Sequence, residues 1–197
     1  MNTKLTLAGL NEIRLPRTTD GSAAAFVRGA RTLFQRAATV APDRRGLVEF
    51  LAQVSVFETL DRRELARVAR IVHERDYADG EYICEEGRPG AAVFMVRRGV
   101  VEVVRRGRGT EETSVALLEP PASFDESAAI GAGMIRWFSV RARGPVSLLA
   151  LGKSDLDALS ADFPGLANKI LVRLAGIMAM RLQVLIEREM RTDEAPR

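Results

Sequence analysis

The chain has 197 residues, of which 47% are hydrophobic and 28% charged, a size that supports one substantial core with helical extensions rather than two full domains. With 29 basic and 26 acidic residues the formal net charge is only +3, a near balance that does not by itself indicate a nucleic-acid partner. The single cysteine, Cys84, excludes an internal disulfide and fits a reducing compartment. No run reaches the roughly 18 apolar residues typical of a membrane span, and the opening residues lack a signal-peptide core, so a cytoplasmic chain without membrane contact is expected.

The first part of the chain predicts an arm followed by helices. Residues 1–20 show no sustained period and predict a flexible arm. The stretch up to Pro42 has apolar residues at helical spacing among arginines, which predicts an amphipathic helix that packs on its own domain or, alternatively, binds a partner. Asp61 and Glu64 have the spacing of a capping box at the start of another helix. Residues 21–72 are therefore expected to form an N-terminal helical segment.

Residues 73–152 have the pattern of an all-β domain. Short apolar runs alternate with turns that contain glycine or proline, among them Gly99 and Gly144-Pro145. Repeated short strands of this kind predict a sandwich or a jelly-roll barrel, here flanked by helices on both sides in sequence. The runs predicted as strands include Tyr82–Cys84, Val93–Val96, Val100–Val104 and Val146–Leu151.

Residues 153–197 predict two helices and a tail. Ser154 and the acids after it have the pattern of a helix start, and this short helix is expected to end near Phe163-Pro164. A longer helix should follow to about Arg191, with a frayed polar tail from Thr192. Its apolar residues are spread more widely than one narrow stripe, so the barrel alone would leave some of them exposed. This pattern predicts a homodimer through the long helix, with complete burial on the chain's own barrel as the alternative.

The stretch between Pro120 and Ala142 carries the candidate site. Its centre is rich in alanine and serine and is bounded by proline and glycine, which predicts a single helical turn in a loop. Asp125 and Glu126 stand at the start of that turn, where carboxylates suit the positive end of a helix, and Arg136 follows. A loop with backbone donors, an acid and an arginine can bind a small anion.

This stretch resembles the phosphate-binding cassette of the cyclic-nucleotide-binding domain family. The usual motif of that cassette is Phe-Gly-Glu, a turn of small residues, and then Arg and small residues before a Val. The matching residues are Phe124, Glu126, Ala128, Arg136, Ser139 and Val140. The resemblance extends from about Phe50 to about Met190 and implies a double-stranded β-helix (jelly-roll) barrel. It also implies that Glu126 would hold the ribose hydroxyl and Arg136 the cyclic phosphate of cAMP or cGMP. Backbone N–H groups around Ser127 and Ala128 would bind the phosphate oxygens, and Trp137 and Ser139 complete the candidate ligand-binding set.

Two residues depart from the family motif and are predicted to block the pocket. Asp125 stands where the family has glycine, and Trp137, followed by bulky Phe138, stands where it has a small residue. Asp125 is expected to cap the turn and satisfy the N–H groups that a phosphate would use. Arg136 would then pair with Asp125 or Glu126, and an aromatic ring would fill the nucleotide space.

Catalytic and nucleic-acid functions find little support in the sequence. A metal-dependent barrel enzyme would need a cluster of ligands, and the chain has one histidine, His73. Gly152-Lys153-Ser154 is not a P-loop end, because the first glycine of that motif would fall on Ser147. Transcription factors of the family carry a helix-turn-helix after the long helix, and the sequence given ends soon after it, so DNA binding is not expected.

Two functions from different classes remain. The first is a non-enzymatic regulatory or adaptor module with a degenerate nucleotide pocket, which acts through a protein partner and needs no cofactor. The alternative is a functional receptor for cAMP or cGMP in which the ligand repositions the C-terminal helix. Asp125 and Trp137 distinguish them.

Overall fold

The computed structural model describes residues 44–107, 111–131 and 133–193. The predicted arm at 1–20 and the predicted amphipathic helix that ends before Pro42 lie outside these residues. The helices are α1 Arg44–Leu51, a 3-10 turn at Ser55–Phe57, α2 Arg62–Val68, α3 Glu126–Ile130, α4 Lys153–Asp162 and α5 Pro164–Asp193. The strands are β1 His73–Tyr77, β2 Tyr82–Cys84, β3 Ala92–Arg106, β4 Glu112–Leu118, β5 Ser123–Phe124 and β6 Ser139–Gly152.

Within the described residues the strands form one antiparallel six-stranded sheet. Its main path is β1-β6-β3-β4, while β2 also pairs with β6 and β5 with β3. The helices precede and follow the strands, except for α3, which lies between β5 and β6. The predicted fold class, a mainly β domain of jelly-roll type with flanking helices and a long C-terminal helix, is confirmed.

Two predicted turns lie inside long strands instead of ending them. Gly99 falls within β3 and Gly144-Pro145 within β6, and the pairing between the strands changes from Arg98 opposite Ser147 to Val100 opposite Arg143. Gly99 has a φ of 82°, and a Cβ there would lie 2.5 Å from the carbonyl oxygen of Pro145. The glycine therefore allows a bulge with close backbone approach, which bends a continuous pair of strands.

The strand β3 separates two hydrophobic clusters. Val93 and Met95 belong to the cluster that also contains the helices, whereas Phe94 and Val96 belong to a second cluster inside the sheet. Because successive side chains of a strand point to opposite faces, a strand buried on both faces is continuously apolar. The larger cluster includes Leu47, Phe57, Leu149, Leu151, Leu156, Ile170 and Leu174.

The helix boundaries follow local signals. The capping box at α2 is present: the Asp61 carboxylate accepts from the Glu64 N–H at 2.8 Å, and the Glu64 carboxylate accepts from the Asp61 N–H at 2.9 Å. The long helix α5 begins at Pro164, where the missing N–H costs nothing in the first turn, and it continues to Asp193. It thus extends slightly beyond the predicted end at Arg191 and includes Thr192, where the sequence predicted a frayed tail. In the part of the chain that the structure describes, no helix combines the length and the apolar character needed to cross a bilayer.

Candidate functional site

The candidate site is built around α3, a five-residue helix that follows β5. This agrees with the single helical turn predicted for the loop. The Ala128 N–H donates to the carbonyl of Asp125 at 3.1 Å, and the Gly131 N–H donates to the carbonyl of Ser127 at 2.9 Å. One of the N–H groups that the family resemblance assigned to phosphate oxygens, that of Ala128, is therefore used inside the turn.

Asp125, at the N-cap position of α3, has left-handed backbone geometry. Its φ is 63° and its ψ is 31°, and among the described residues no other non-glycine residue has a positive φ. Glycine adopts this geometry without steric cost, and aspartate is one of the few other residues that tolerate it. The backbone at this position thus has the conformation that would favour glycine, the residue that the family motif has here.

The Asp125 carboxylate binds Arg136 and does not cap the helix. Its Oδ2 accepts from Arg136 Nε at 2.7 Å and lies 2.6 Å from Nη2. The two side chains are 3% and 12% exposed, and the prediction that Asp125 caps the turn is wrong because its carboxylate makes no capping hydrogen bond. Burial raises the pKa of Asp125 above its usual value, while the hydrogen bond and charge of Arg136 oppose this rise. Of the two acids proposed as partners of Arg136, the structure pairs it with Asp125.

Glu126 is also buried and is bound by groups of the same chain. Its side chain is 3% exposed. The Ser123 hydroxyl donates to Oε1 at 2.6 Å, and Arg181 Nη1, from α5, donates to Oε2 at 2.7 Å. Arg181 Nη2 also donates to the carbonyl of Ser123 at 2.9 Å. Both oxygens of the carboxylate that the resemblance assigned to a ribose hydroxyl therefore have partners within the chain.

Sequence reasoning did not identify Ser123 and Arg181 as part of this site. A signal for Arg181 was present, because it lies four residues after Ile177 and continues the buried positions Ile170, Leu174 and Ile177 along one face of α5. An arginine at the end of a buried stripe can reach an acceptor on the surface against which the stripe packs. The sequence did not show which of the chain's acids would supply it.

Trp137 and Ser139 lie in different environments. The Trp137 side chain is 75% exposed, so this residue, predicted to block the pocket, points outward and is not the aromatic ring expected to fill the nucleotide space. Phe138, next to it, packs partly against the inner hydrophobic cluster. Ser139 is buried, and its Oγ accepts from the Glu86 N–H at 2.9 Å.

The loop between β2 and β3 holds the arginine segment in place. Gly87 donates its N–H to the carbonyl of Arg136 at 2.9 Å, and the Arg136 N–H donates to the carbonyl of Arg88 at 3.0 Å. Gly90 donates to the carbonyl of Met134 at 3.0 Å. A fourth bond runs from Arg136 Nη1 to the carbonyl of Pro89 at 3.2 Å. These bonds fix both the backbone and the guanidinium of Arg136 against the neighbouring loop.

The chain's one cysteine lies beside the site. Cys84 is buried beside this region, and burial raises the pKa of its thiol to about 12. In the residues described, no group of three or more histidine, cysteine, aspartate or glutamate side chains is placed to hold a metal ion. What the site offers is two buried carboxylates, Asp125 and Glu126, each paired with one arginine of the chain, Arg136 and Arg181 respectively.

Comparison with known proteins finds a family model and relatives that match this chain. The family model described as "Cyclic nucleotide-binding domain" matches residues 74–163, which run from β1 to the end of α4. The cGMP-dependent protein kinase egl-4 of Caenorhabditis elegans is 30% identical over 122 residues, which are 61% of this chain and 16% of the kinase. The Caenorhabditis briggsae kinase of the same name is 29% identical over 126 residues, or 59% of this chain and 17% of the kinase. The chain thus spans about one sixth of the length of these curated relatives.

Solved structures agree with this match. The catabolite activator protein of Thermus thermophilus has a TM-score of 0.61 at 29% identity, over 71% of this chain and 62% of that one. The N-terminal domain of a transcriptional regulator from Streptomyces coelicolor A3(2) has a TM-score of 0.62 at 26% identity, over 69% of this chain and 94% of that domain. Residues 74–163 thus match the cyclic nucleotide-binding domain family in sequence, and the fold of the chain agrees with that match.

Proposed function

We propose that this chain is a non-enzymatic regulatory module of the cyclic nucleotide-binding domain family whose nucleotide pocket is degenerate and which acts through protein–protein contacts. The observation that carries the proposal is the ion pair between Asp125 and Arg136, 2.6 Å long and nearly buried. An aspartate at the family's glycine position supplies the anion that a cyclic phosphate would otherwise supply. The named relatives are kinases and regulators, and a regulatory role fits a domain of that kind.

A second contact supports the same proposal. Glu126 accepts from Ser123 and Arg181, so a ribose hydroxyl would have to compete with partners that are already in place. A cyclic nucleotide would therefore have to break the ion pair at Arg136 and compete with the charge-assisted bond at Glu126. Each costs more to lose than a neutral hydrogen bond, because a buried charge would be left unpaired.

Calorimetric titration with cAMP and with cGMP tests the proposal. We expect no saturable heat from the natural chain. The variant Asp125→Gly frees Arg136 and suits the left-handed backbone, so it is expected to gain binding, and Asp125→Gly/Arg136→Ala should lose it again. Saturable heat from the natural chain that Arg136→Ala abolishes would instead support the alternative, a working receptor that repositions its C-terminal helix.

We further propose that the module forms a homodimer through α5. The support is the group of exposed apolar side chains in the last turns of the helix: Met180, Leu182, Val184, Leu185, Ile186 and Met190, each at least 42% exposed. Apolar side chains clustered on one helix are typical of an interface. A second copy of the same helix would present a matching surface.

A further inference from the structure

The strand β4, Glu112–Leu118, forms an open edge of the sheet. Among the described residues it pairs with β3 on one side and with no strand on the other. Five of its seven side chains are exposed, and the two at its ends are partly buried. The main-chain N–H and C=O groups on the open side therefore face away from the sheet, where another extended backbone can pair with them.

The side chains of β4 lack the usual protection of an open edge. Natural sheets often carry lysine or proline at such an edge, which keeps other strands from pairing with it. No lysine, arginine or proline occurs from Glu111 to Glu119. Instead, the side chains of Val115 and Leu117 are 62% and 49% exposed. An extended partner can therefore reach the edge and cover these two apolar side chains.

A bulge interrupts β4 at Val115. Val103 of β3 pairs with Ala116 and Val104 pairs with Ser114, so Val115 has no cross-strand partner in β3. A bulge increases the local twist of an edge, which disfavours the repeated addition of flat strands. The edge is thus suited to one short added strand and not to open-ended stacking of many chains.

Acidic residues lie at both ends of this edge. Glu111 and Glu112 stand at the start of β4, and Glu119 follows directly after its end. Glu112 is engaged within the chain, since its carboxylate accepts from the Tyr82 hydroxyl at 2.7 Å. Glu111 and Glu119 are exposed. These two acids can attract basic residues at the ends of an added strand.

The same acids disfavour a second copy of this chain as the added strand. Antiparallel pairing of β4 with itself over its whole length is centred on Val115 and places Glu111 opposite Glu119 at both ends. Like charges in directly opposite positions are destabilising, whereas opposite charges are favourable. The charge pattern therefore favours a different strand, one with basic residues at its ends.

We propose that the open edge of β4 binds an extended segment of a protein partner, which adds a strand to the sheet and has a lysine or arginine at each end. Main-chain hydrogen bonds to β4 supply affinity, and Val115 and Leu117 contact apolar side chains of the segment. Glu111 and Glu119 select its basic ends. The inference rests on the proposed function in taking protein–protein contact as the way in which this chain acts.

Two synthetic peptides of alternating valine and threonine, one with lysine and one with glutamate at each end, test the proposal on the whole chain. We expect saturable binding of the lysine peptide and binding about tenfold weaker for the glutamate peptide, measured by fluorescence anisotropy. Hydrogen exchange of the β4 amides should be slower with the lysine peptide bound. Main-chain pairing protects amides in this way, whereas a purely ionic contact does not.

Charge reversal at the ends of the edge should reverse the preference. In Glu111→Lys/Glu119→Lys the glutamate peptide is expected to bind about tenfold more tightly than the lysine peptide. Glu49→Lys/Asp162→Lys is the matched control, because it makes the same change of net charge at exposed positions of α1 and α4. This variant should keep the preference of the natural chain.

Three results would overturn the proposal. The first is the absence of saturable binding of the lysine peptide to the natural chain. The second is binding that leaves exchange of the β4 amides within about twofold of the free chain. The third is a preference for lysine that persists in Glu111→Lys/Glu119→Lys. Each would leave the degenerate pocket untouched, because nucleotide binding is measured separately by calorimetry.

Discussion

At the scale of single residues, the site is defined by charges that find partners inside the chain. Asp125 replaces glycine at a position whose backbone still has the left-handed geometry, and its carboxylate meets Arg136. From sequence, the departure at Asp125 and a pairing with Arg136 were predictable, because an acid and an arginine shared one short loop. The outward turn of Trp137 was not, since it depends on how the loop packs rather than on residue type.

The Asp125–Arg136 pair should be costly to break from one side. Arg136→Met leaves a buried carboxylate without its partner, and we expect a loss of about 3–5 kcal/mol in the free energy of unfolding. Asp125→Asn/Arg136→Met removes both charges and should recover part of that loss. Urea unfolding of the natural chain, Arg136→Met, Asp125→Asn and the double variant gives the interaction free energy of the pair. Additivity within about 0.5 kcal/mol would show that the two side chains do not stabilise each other.

Cys84 gives a prediction about pH. Because burial raises the pKa of its thiol to about 12 in the folded chain, the thiol should resist alkylation by iodoacetamide at pH 8 and react once urea unfolds the chain. The raised pKa also means that its contribution to stability is complete below the unfolded-state value and is lost as the pH rises toward 12. Cys84→Ala should reduce that alkaline loss. Rapid alkylation of the folded chain at pH 8 would contradict the burial of this thiol.

At the scale of elements, features that depend on a few adjacent residues were predictable from the sequence, whereas features that depend on strand pairing were not. The capping box at α2, the start of α5 and the helical turn α3 each follow from a few adjacent residues. The lengths of β3 and β6 do not, because Gly99 and Gly144 produce a bulge only when the two strands meet. A glycine in a sequence predicts a turn and a bulge equally well, and the partner strand decides between them.

The contact between the β2–β3 loop and α3 should not tolerate a methyl group. A Cβ at Gly90 would lie 2.4 Å from Ala128 Cβ and 3.2 Å from an oxygen of Asp125. Gly90→Ala is therefore expected to destabilise the fold by about 1–3 kcal/mol. Gly176→Ala is the matched control, because no atom lies within 4 Å of a Cβ there and alanine favours a helix. Thermal unfolding should show a lower Tm for the first variant and an equal or higher Tm for the second; equal Tm values in all three proteins would contradict the close packing of α3.

At the scale of the whole molecule, the sequence was sufficient for the fold class but not for the way α5 meets the sheet. Regular glycine turns and apolar runs indicated the β domain, and the wide apolar stripe indicated a surface on α5 that the chain would not cover. The Arg181–Glu126 contact joins residues 55 positions apart, and such a pair cannot be selected from one sequence with many arginines and glutamates. Assembly and location in the cell remain predictions.

The dimer prediction concerns the exposed end of α5. Leu182→Glu/Leu185→Glu places two charges on one face of the helix and should convert a dimer of about twice the 21.6 kDa chain into a monomer. Light scattering over a range of concentrations measures this. Val115→Glu, at an equally exposed apolar residue of β4, is the control and should leave the mass unchanged. A natural chain that is monomeric at every concentration would remove the proposed interface.

The alternation along β3 has a consequence for how this domain tolerates change. Since Val93 and Met95 face one cluster and Phe94 and Val96 the other, this strand contributes side chains to two hydrophobic interiors. Substitution of one apolar side chain of β3 by another of similar volume should disturb packing only in the cluster that this side chain faces. Deletion of a single residue between Ala92 and Val96 would reverse which side chains enter which interior, and neither would then be filled correctly. Evolutionary drift in this strand is therefore expected to proceed by replacement and not by change of length.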